Sequence, residues 1–184
     1  MLLIAGGDDE AFIALIKRHQ DHILNLIYRF FKDQDQAEDL AQEVFVRIWQ
    51  GSKSYQPKAK FSTWLYRITA NLCLDELKSI RHKLSFLSLF NKDNPSEIIE
   101  ESKSLYIDHA FSPEELIIDR EENDRIMELL QALPANQRMA FILKRFENLS
   151  YEEISQTMGC SISSVESLLV RAKKTIQKKL LIKK

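Results

Sequence analysis

The chain has 184 residues, of which 45% are hydrophobic and 29% are charged. This composition excludes simple disorder and a small disulfide-linked scaffold, and the length allows one or two domains. With 26 Lys and Arg against 27 Asp and Glu, the net charge argues against a uniformly basic nucleic-acid binder.

The charges are nevertheless distributed in blocks. Residues 51–92 hold 8 basic and 2 acidic residues, residues 93–128 hold 3 and 12, and residues 171–184 hold 7 and 0. Two basic segments are therefore separated by an acidic one. Solvated helix faces would also produce such a pattern, but sign asymmetry is more informative than the net charge.

The first half of the chain is predicted to be helical. Apolar residues recur every three or four positions over 10–32 and again over 36–50, as in amphipathic helices. Gly, Ser and Pro mark a loop over 51–60, which carries three lysines and no acidic residue. A third helix is predicted from Ser62, as its N-cap, to about residue 83. One face of that helix is polar and is formed by Arg67, Asn71, Asp75, Lys78 and His82.

The second half begins after a predicted break. Periodicity is lost over 84–111, where breaker-rich and acidic sequence predicts a linker. Ser112 is predicted to cap a helix that ends before Pro134, and another helix covers roughly 135–147. A capping box at Ser150 opens a short helix that ends near Gly159.

Ser161 is predicted to cap the last helix, and no segment shows the alternation of a half-buried strand. We therefore predict an all-α fold with two small helical bundles joined by a flexible linker. The predicted domains are residues 1–90 and 112–184, with an acidic linker over 91–111 between them. The C-terminal bundle contains a helix-turn-helix.

The helix-turn-helix gives the strongest functional signal. A short helix, a Gly-containing turn and a second helix beginning at a Ser form this pattern. The start of the second helix would meet base edges in a major groove, and the basic residues that follow it suit phosphates. The alternative is an ordinary helical hairpin with a solvated basic tail.

Two further segments could bind partners. The Lys-rich loop and the helix after it combine cations with Tyr55, Phe61, Trp64 and Tyr66, which suits single-stranded DNA. Equally, Phe61 and Trp64 could be core residues. The helix over 36–50 has acidic residues on one face and Phe45 and Trp49 toward its end, so it is either a core helix or a docking face for a partner helix.

Catalysis has little support in the sequence. There is no HExxH spacing, no Gly-rich phosphate loop and no nucleophile elbow, so we expect no enzyme, no cofactor and no metal. Cys73 and Cys160 lack ligand or CxxC spacing and are expected to be free thiols of a cytoplasmic protein. No apolar run approaches a membrane span, so no membrane insertion is expected.

In order, these segments resemble the extracytoplasmic-function sigma factors of bacterial RNA polymerase. Asp39-Leu-Ala-Gln-Glu-Val-Phe45 and Phe61-Ser-Thr-Trp-Leu-Tyr-Arg-Ile-Thr-Ala-Asn71, with Asp75, are similar to region 2 of that family. Leu133-Pro-Ala-Asn-Gln-Arg138, Leu149-Ser-Tyr-Glu-Glu-Ile154 and Val165-Glu-Ser-Leu-Leu-Val-Arg-Ala172 are similar to region 4. The resemblance implies a non-catalytic subunit that binds core polymerase and directs it to promoters.

The resemblance also implies a role for individual residues. It places docking on the clamp coiled coil and the flap of core polymerase at Asp39, Gln42, Glu43, Phe45, Phe141, Ile142 and Phe146. It places contacts to the minus-ten element at Lys58, Lys60, Arg67, Asn71, Asp75, Lys78, Arg81 and Lys83. It places contacts to the minus-thirty-five element at Ser161, Ser163, Ser164, Glu166, Ser167, Arg171, Lys173 and Lys174. An anti-sigma factor is a further implied partner.

Two other functions fit parts of the sequence. A stand-alone helix-turn-helix regulator would need no polymerase and would bind spaced half-sites as a dimer. A decoy would keep the fold and the partner-binding face but lose the DNA contacts, against which the basic residues at both predicted DNA faces argue.

Overall fold

A computed structural model describes residues 1–56, 60–90 and 120–182, and every long regular element in these ranges is an α-helix. The all-α prediction is confirmed. The predicted linker over 91–111 and the Ser112 cap lie outside the described residues. In chain order the helices are α1 (Leu2–Ala5), α2 (Asp9–Phe31), α3 (Gln34–Gly51), α4 (Phe61–Phe90), α5 (Arg120–Gln131), α6 (Ala135–Arg145), α7 (Tyr151–Met158) and α8 (Ile162–Ile182).

The turn between α2 and α3 is fixed by local chemistry. Lys32 ends α2 in the left-handed conformation, at φ 60°, and its N–H donates to the Tyr28 carbonyl. The carboxylate of the next residue, Asp33, accepts the Gln36 N–H at 2.8 Å and so caps α3. This tight connection lets α2 and α3 pack side by side on a shared apolar core. That core is built around the fully buried side chains of Ile23, Leu26, Ile27, Phe30, Val44 and Ile48.

Helix α4 differs from its prediction at both ends. It begins at Phe61, so Ser62 lies inside the first turn and is not the N-cap; the Lys60 carbonyl accepts the Thr63 N–H at 3.1 Å. The helix runs to Phe90 and not to residue 83, because no Gly or Pro interrupts the sequence before Pro95. The short 3-10 helix Ser52–Ser54 occupies part of the predicted loop.

The helix caps in the C-terminal half are the ones that the sequence predicts. Ser150 and Glu153 form the predicted capping box of α7, with side-chain to backbone distances of 3.2 and 2.9 Å. Gly159 ends α7 at φ 63°, and a Cβ there would meet no atom within 4 Å, so the glycine serves the left-handed backbone and not a close approach. Ser161 accepts the Ser164 N–H at 3.2 Å and caps α8 as predicted.

The two halves of the chain pack against each other. Helix α4 lies against α7, and α2 lies against α5 and α6. Arg138 of α6 donates to the carbonyl of Phe30, in the last turn of α2, and Gln131 Nε2 donates to the same oxygen at 3.1 Å. A buried guanidinium therefore satisfies a helix-end carbonyl of the other half.

Polar contacts continue this interface along α4. The Tyr66 hydroxyl donates to Glu147 Oε2 at 2.7 Å, and burial, followed by this hydrogen bond, raises the pKa of Tyr66 above its ordinary value. Lys60 Nζ lies 2.9 Å from Glu153 Oε1, but Lys60 is 76% exposed, so this ion pair contributes little to stability. No helix in the described part of the chain is both long and apolar enough to cross a membrane.

Candidate nucleic-acid interface

The polar face of α4 is open to solvent. Lys78 is paired with Asp75 at 2.9 Å, one turn away on the same face. Lys60, at the start of α4, is exposed and paired with Glu153 of α7, while Lys58 lies outside the described residues. All the described members of the predicted minus-ten set are therefore accessible to solvent, although Lys83 lies on a different side of α4 from Arg67, Asn71, Asp75 and Lys78. The exposed members of the set are Lys60, Arg67, Asn71, Asp75, Lys78, Arg81 and Lys83.

An aromatic cluster supports the start of α4. The ring centroids of Tyr55 and Trp64 are 5.0 Å apart, and those of Phe61 and Trp64 are 5.9 Å apart. Phe61 and Trp64 are partly buried against the core, so both rings have a packing role whatever else they contact. A Cβ at Gly51 would lie 3.3 Å from the Trp64 ring, so a larger residue there would require the ring to shift by a few tenths of an ångström.

Helices α7 and α8 form the predicted helix-turn-helix. Ile154, Val165 and Leu169 are buried between them, so the opposite face of α8 is turned outward. The Ser161 hydroxyl lies 3.0 Å from that of Ser163 and 2.8 Å from that of Ser164, so three hydroxyls cluster at the start of the helix. Every member of the predicted minus-thirty-five set is exposed: Ser161, Ser163, Ser164, Glu166, Ser167, Arg171, Lys173 and Lys174.

A groove lies beside the predicted docking face, and the sequence predicted only some of the residues that line it. It has a volume of about 550 Å³ and lies between α2 and α3, with Phe12 and Trp49 in contact at 4.9 Å. Gln42 and the buried Phe45 line it, while Asp39 and Glu43 lie outside it, and Glu43 is bound to Arg47 at 2.7 Å. Five lining residues had not been predicted for docking: Asp9, Phe12, Ile16, Val46 and Gln50. The spacing of positions 42, 46 and 49 on α3 was the available signal.

The predicted flap residues on α6 are less accessible. Ile142 is fully buried, and Phe141 is partly buried. Phe146 is also partly buried and lies under the Arg29 guanidinium, 4.4 Å from the ring centre. In this arrangement Phe146, which follows the last residue of α6, is therefore turned toward α2.

Comparisons with known sequences and structures agree with this architecture. Residues 15–83 match the sequence profile of Sigma-70 region 2, and residues 123–176 match that of Sigma-70 region 4. The chain is 33% identical over 182 residues to the RNA polymerase sigma-H factor of Pseudomonas aeruginosa, covering 96% of this chain and 90% of that protein. It is 30% identical over 177 residues to the ECF RNA polymerase sigma factor SigW of Bacillus subtilis, covering 96% and 92%.

The chain belongs to the extracytoplasmic-function (ECF) sigma factors. It is an alternative sigma factor, which is a subunit that takes part in transcription initiation. Helices α2 to α4 make up most of region 2 of this ECF sigma factor, and α5 to α8 make up region 4.

Solved structures show the same fold. The sigma factor RpoE of Bartonella quintana, solved with the anti-sigma factor NepR, superposes with a TM-score of 0.70 at 20% identity, over 95% of this chain and 99% of that one. CnrH, solved with the cytosolic domain of CnrY, gives 0.68 at 22% identity, over 98% and 94%.

Proposed function

We propose that this ECF sigma factor acts in the cytoplasm as a non-catalytic subunit that binds core RNA polymerase and selects promoters through two separate DNA faces. The outward face of α4 would contact the minus-ten element, and the start of α8 would contact the minus-thirty-five element. The observation that carries the proposal is the exposure of both predicted faces, each on a helix whose opposite side is buried.

The chemistry of the two faces differs. On α8, hydroxyls and Glu166 precede the cations, so the helix start suits base edges and the later turns suit phosphates. On α4, Asn71 and Asp75 offer hydrogen-bonding groups beside Lys78 and Arg81, as a separated strand with unpaired bases requires.

The groove between α2 and α3 supports docking on core polymerase. It combines apolar walls with Gln42 at the rim, and Val46 in its wall is 46% exposed. An apolar groove flanked by acidic residues suits a partner helix with apolar and basic residues. We propose that it receives the clamp coiled coil. Because RpoE and CnrH were solved with protein partners, an anti-sigma factor is a further partner that we propose.

Promoter-dependent run-off transcription tests the function. Purified core polymerase would be supplied with a library of randomised promoters, with and without this chain. We expect transcripts that start at a fixed distance from two enriched short elements. Transcription that does not depend on the chain would refute the proposal, and duplex binding without core would favour a stand-alone helix-turn-helix regulator.

Two variants make the test of docking specific. Val46→Asp places a charge in the groove and should weaken core binding more than tenfold with little change in folding, because the side chain is already half exposed. Ala14→Asp, at an exposed position on α2 outside the groove, is the matched control and should bind core normally. Equal binding by both variants would exclude the groove as the docking site.

A further inference from the structure

The outward side of α8 changes in charge along its length. Residues 161–170 contain neither Lys nor Arg, and Glu166 is their one charged side chain, whereas three cations follow over 171–174. Val165 and Leu169 are buried against α7, while Glu166 is exposed. The part of the helix that would enter a major groove therefore carries a negative charge, and the part that would lie beside phosphates carries positive charge.

Helix stability does not account for Glu166. Ser161 already caps α8 by accepting the Ser164 N–H, and the first turn of the helix holds no acidic residue. Glu166 lies beyond that turn, where a carboxylate gains little from the helix dipole. No Lys or Arg of α8 lies within one turn of it, so the helix supplies no cation to pair with the carboxylate.

Val170 is a second residue of α8 whose side chain has no role in the core. It follows Glu166 by four residues, so the two side chains share a face of the helix, and Val170 is 51% exposed. A half-exposed, β-branched residue favours neither helix formation nor solvation. Along the helix axis, Val170 lies about 6 Å beyond Glu166. It was not among the residues predicted to contact the minus-thirty-five element.

The major groove offers a different partner to each of these side chains. A carboxylate needs a hydrogen-bond donor, and the bases present one there only at cytosine N4 and adenine N6. Adenine also places the acceptor N7 beside its amino group, where it would repel the second carboxylate oxygen, so cytosine is the better partner. Guanine presents two acceptors and is disfavoured. An exposed valine suits the C5-methyl group of thymine.

We propose that Glu166 and Val170 determine part of the minus-thirty-five sequence: Glu166 accepts a hydrogen bond from N4 of a cytosine, and Val170 packs on the methyl group of a thymine. The axial separation of about 6 Å corresponds to about two base-pair steps, so the two base pairs lie within about two positions of each other. This inference rests on the proposed function, because it assumes that α8 enters the major groove of the promoter.

The role of Glu166 is tested by run-off transcription with the holoenzyme on promoters randomised over the upstream element. We expect the parent chain to select a C·G pair at one position. Glu166→Gln should change that pair alone to A·T, with adenine on the strand that held cytosine, because a carboxamide can accept from N6 and donate to N7. The relative preference should change by about 5- to 150-fold.

The matched control is Asp21→Asn, which removes the same charge at an exposed position on α2. It should select the same sequences as the parent chain. If Glu166→Gln also selected the same sequences as the parent, the assignment of Glu166 would be overturned.

The role of Val170 is tested by removing the methyl group from the DNA. In the selected promoter, uracil would replace each thymine within two positions of the C·G pair, on either strand. One such replacement should reduce transcription by the parent about fourfold, as expected for one buried methyl group. Val170→Ala should show a similar loss on the thymine promoter and no further loss with uracil. Equal sensitivity to uracil in the parent and in Val170→Ala would overturn this assignment.

The same experiments separate this proposal from the proposed function. Absence of chain-dependent transcription with the parent and with every variant would refute the proposed function. Direct selection of the same randomised duplexes by the full-length chain would then decide the base preference, because Glu166→Gln should still exchange C·G for A·T. An unchanged selection there would overturn the assignment of Glu166.

Discussion

Replacing Arg138 by Ala should be among the most destabilising single changes in this protein. Arg138 is 7% exposed and donates to four acceptors, which belong to three residues. Two are the carbonyls of Gln131 and Leu133, at 2.9 and 3.2 Å, and they close the connection between α5 and α6. The carbonyl of Phe30, on the other half of the chain, is the third, and the Gln131 side chain is the fourth.

The size of the effect follows from what the truncation leaves behind. The Phe30 carbonyl keeps its bond from Gln131 Nε2, whereas the Gln131 and Leu133 carbonyls lose the Arg138 donor. A buried acceptor that loses its partner costs about 1–3 kcal/mol, as for the Leu133 carbonyl, and the part-buried Gln131 carbonyl costs less. With the lost packing on the Phe30 ring, the total is about 3–4 kcal/mol. For a chain of this size the melting temperature should fall by roughly 6–16 °C. Arg138→Lys should recover only part of the loss, because an ammonium cannot reproduce the planar fork.

Urea unfolding followed by circular dichroism at 222 nm measures the difference. Arg145→Ala, at an exposed position near the end of the same helix, is the control and should change the free energy of unfolding by less than about 0.5 kcal/mol. If the two variants had the same urea midpoint and the same slope, the guanidinium would not be holding the α5–α6 connection, and the reasoning would be refuted.

Three smaller effects should also be measurable. Ser150→Ala removes the capping box of α7 and should cost about 1 kcal/mol in urea unfolding. Ser167→Ala, at an exposed position within α8, is the control, and an equal loss in both variants would contradict the role of the cap. Gly159→Ala should cost about 1–2 kcal/mol, because a Cβ is strained at φ 63°; an unchanged midpoint would contradict this. Burial, with a smaller effect from Arg18 and His22, lowers the pKa of His19 below its ordinary value of 6.5. As the pH drops below 6.5, the imidazole is therefore protonated more readily in the unfolded chain than in the folded one, and the free energy of unfolding should decrease. In His19→Gln this part of the pH dependence should vanish, while His82→Gln, at an exposed position, should retain it; the reverse result would exclude His19 as its source.

Local sequence patterns predicted the local structure well. Helical periodicity predicted α2, α3 and α8, because each has an apolar stripe long enough to repeat several times. Helices α6 and α7 were instead bounded by Pro134, by the Ser150 capping box and by Gly159. The N-caps predicted at Ser150 and Ser161 gave the first residue of α7 and of α8 correctly. At Ser62 the same signal was wrong, since a serine is also tolerated within a first turn. Helix α1 was missed because four residues cannot display a period.

Contacts between distant segments had no local signal. Tyr66 and Glu147 are 81 positions apart, and Phe30 and Arg138 are 108 apart, so no spacing rule connects them. The docking groove shows the same limit. Its α3 wall follows helical spacing, but the contribution of Phe12 and Ile16 depends on how α2 lies beside α3. Candidate DNA residues were easier to predict, because each set lies along one helix.

The two cysteines differ in their surroundings. Cys73 of α4 is fully buried in the core of region 2, and burial raises the pKa of its thiol; Cys160, at the turn before α8, is only partly buried. A thiol reagent that attacks the thiolate should therefore modify one cysteine of the native protein and the second only when α4 is exposed. The rate of the second modification would measure how often region 2 unfolds in a chain that is otherwise native, without any added probe.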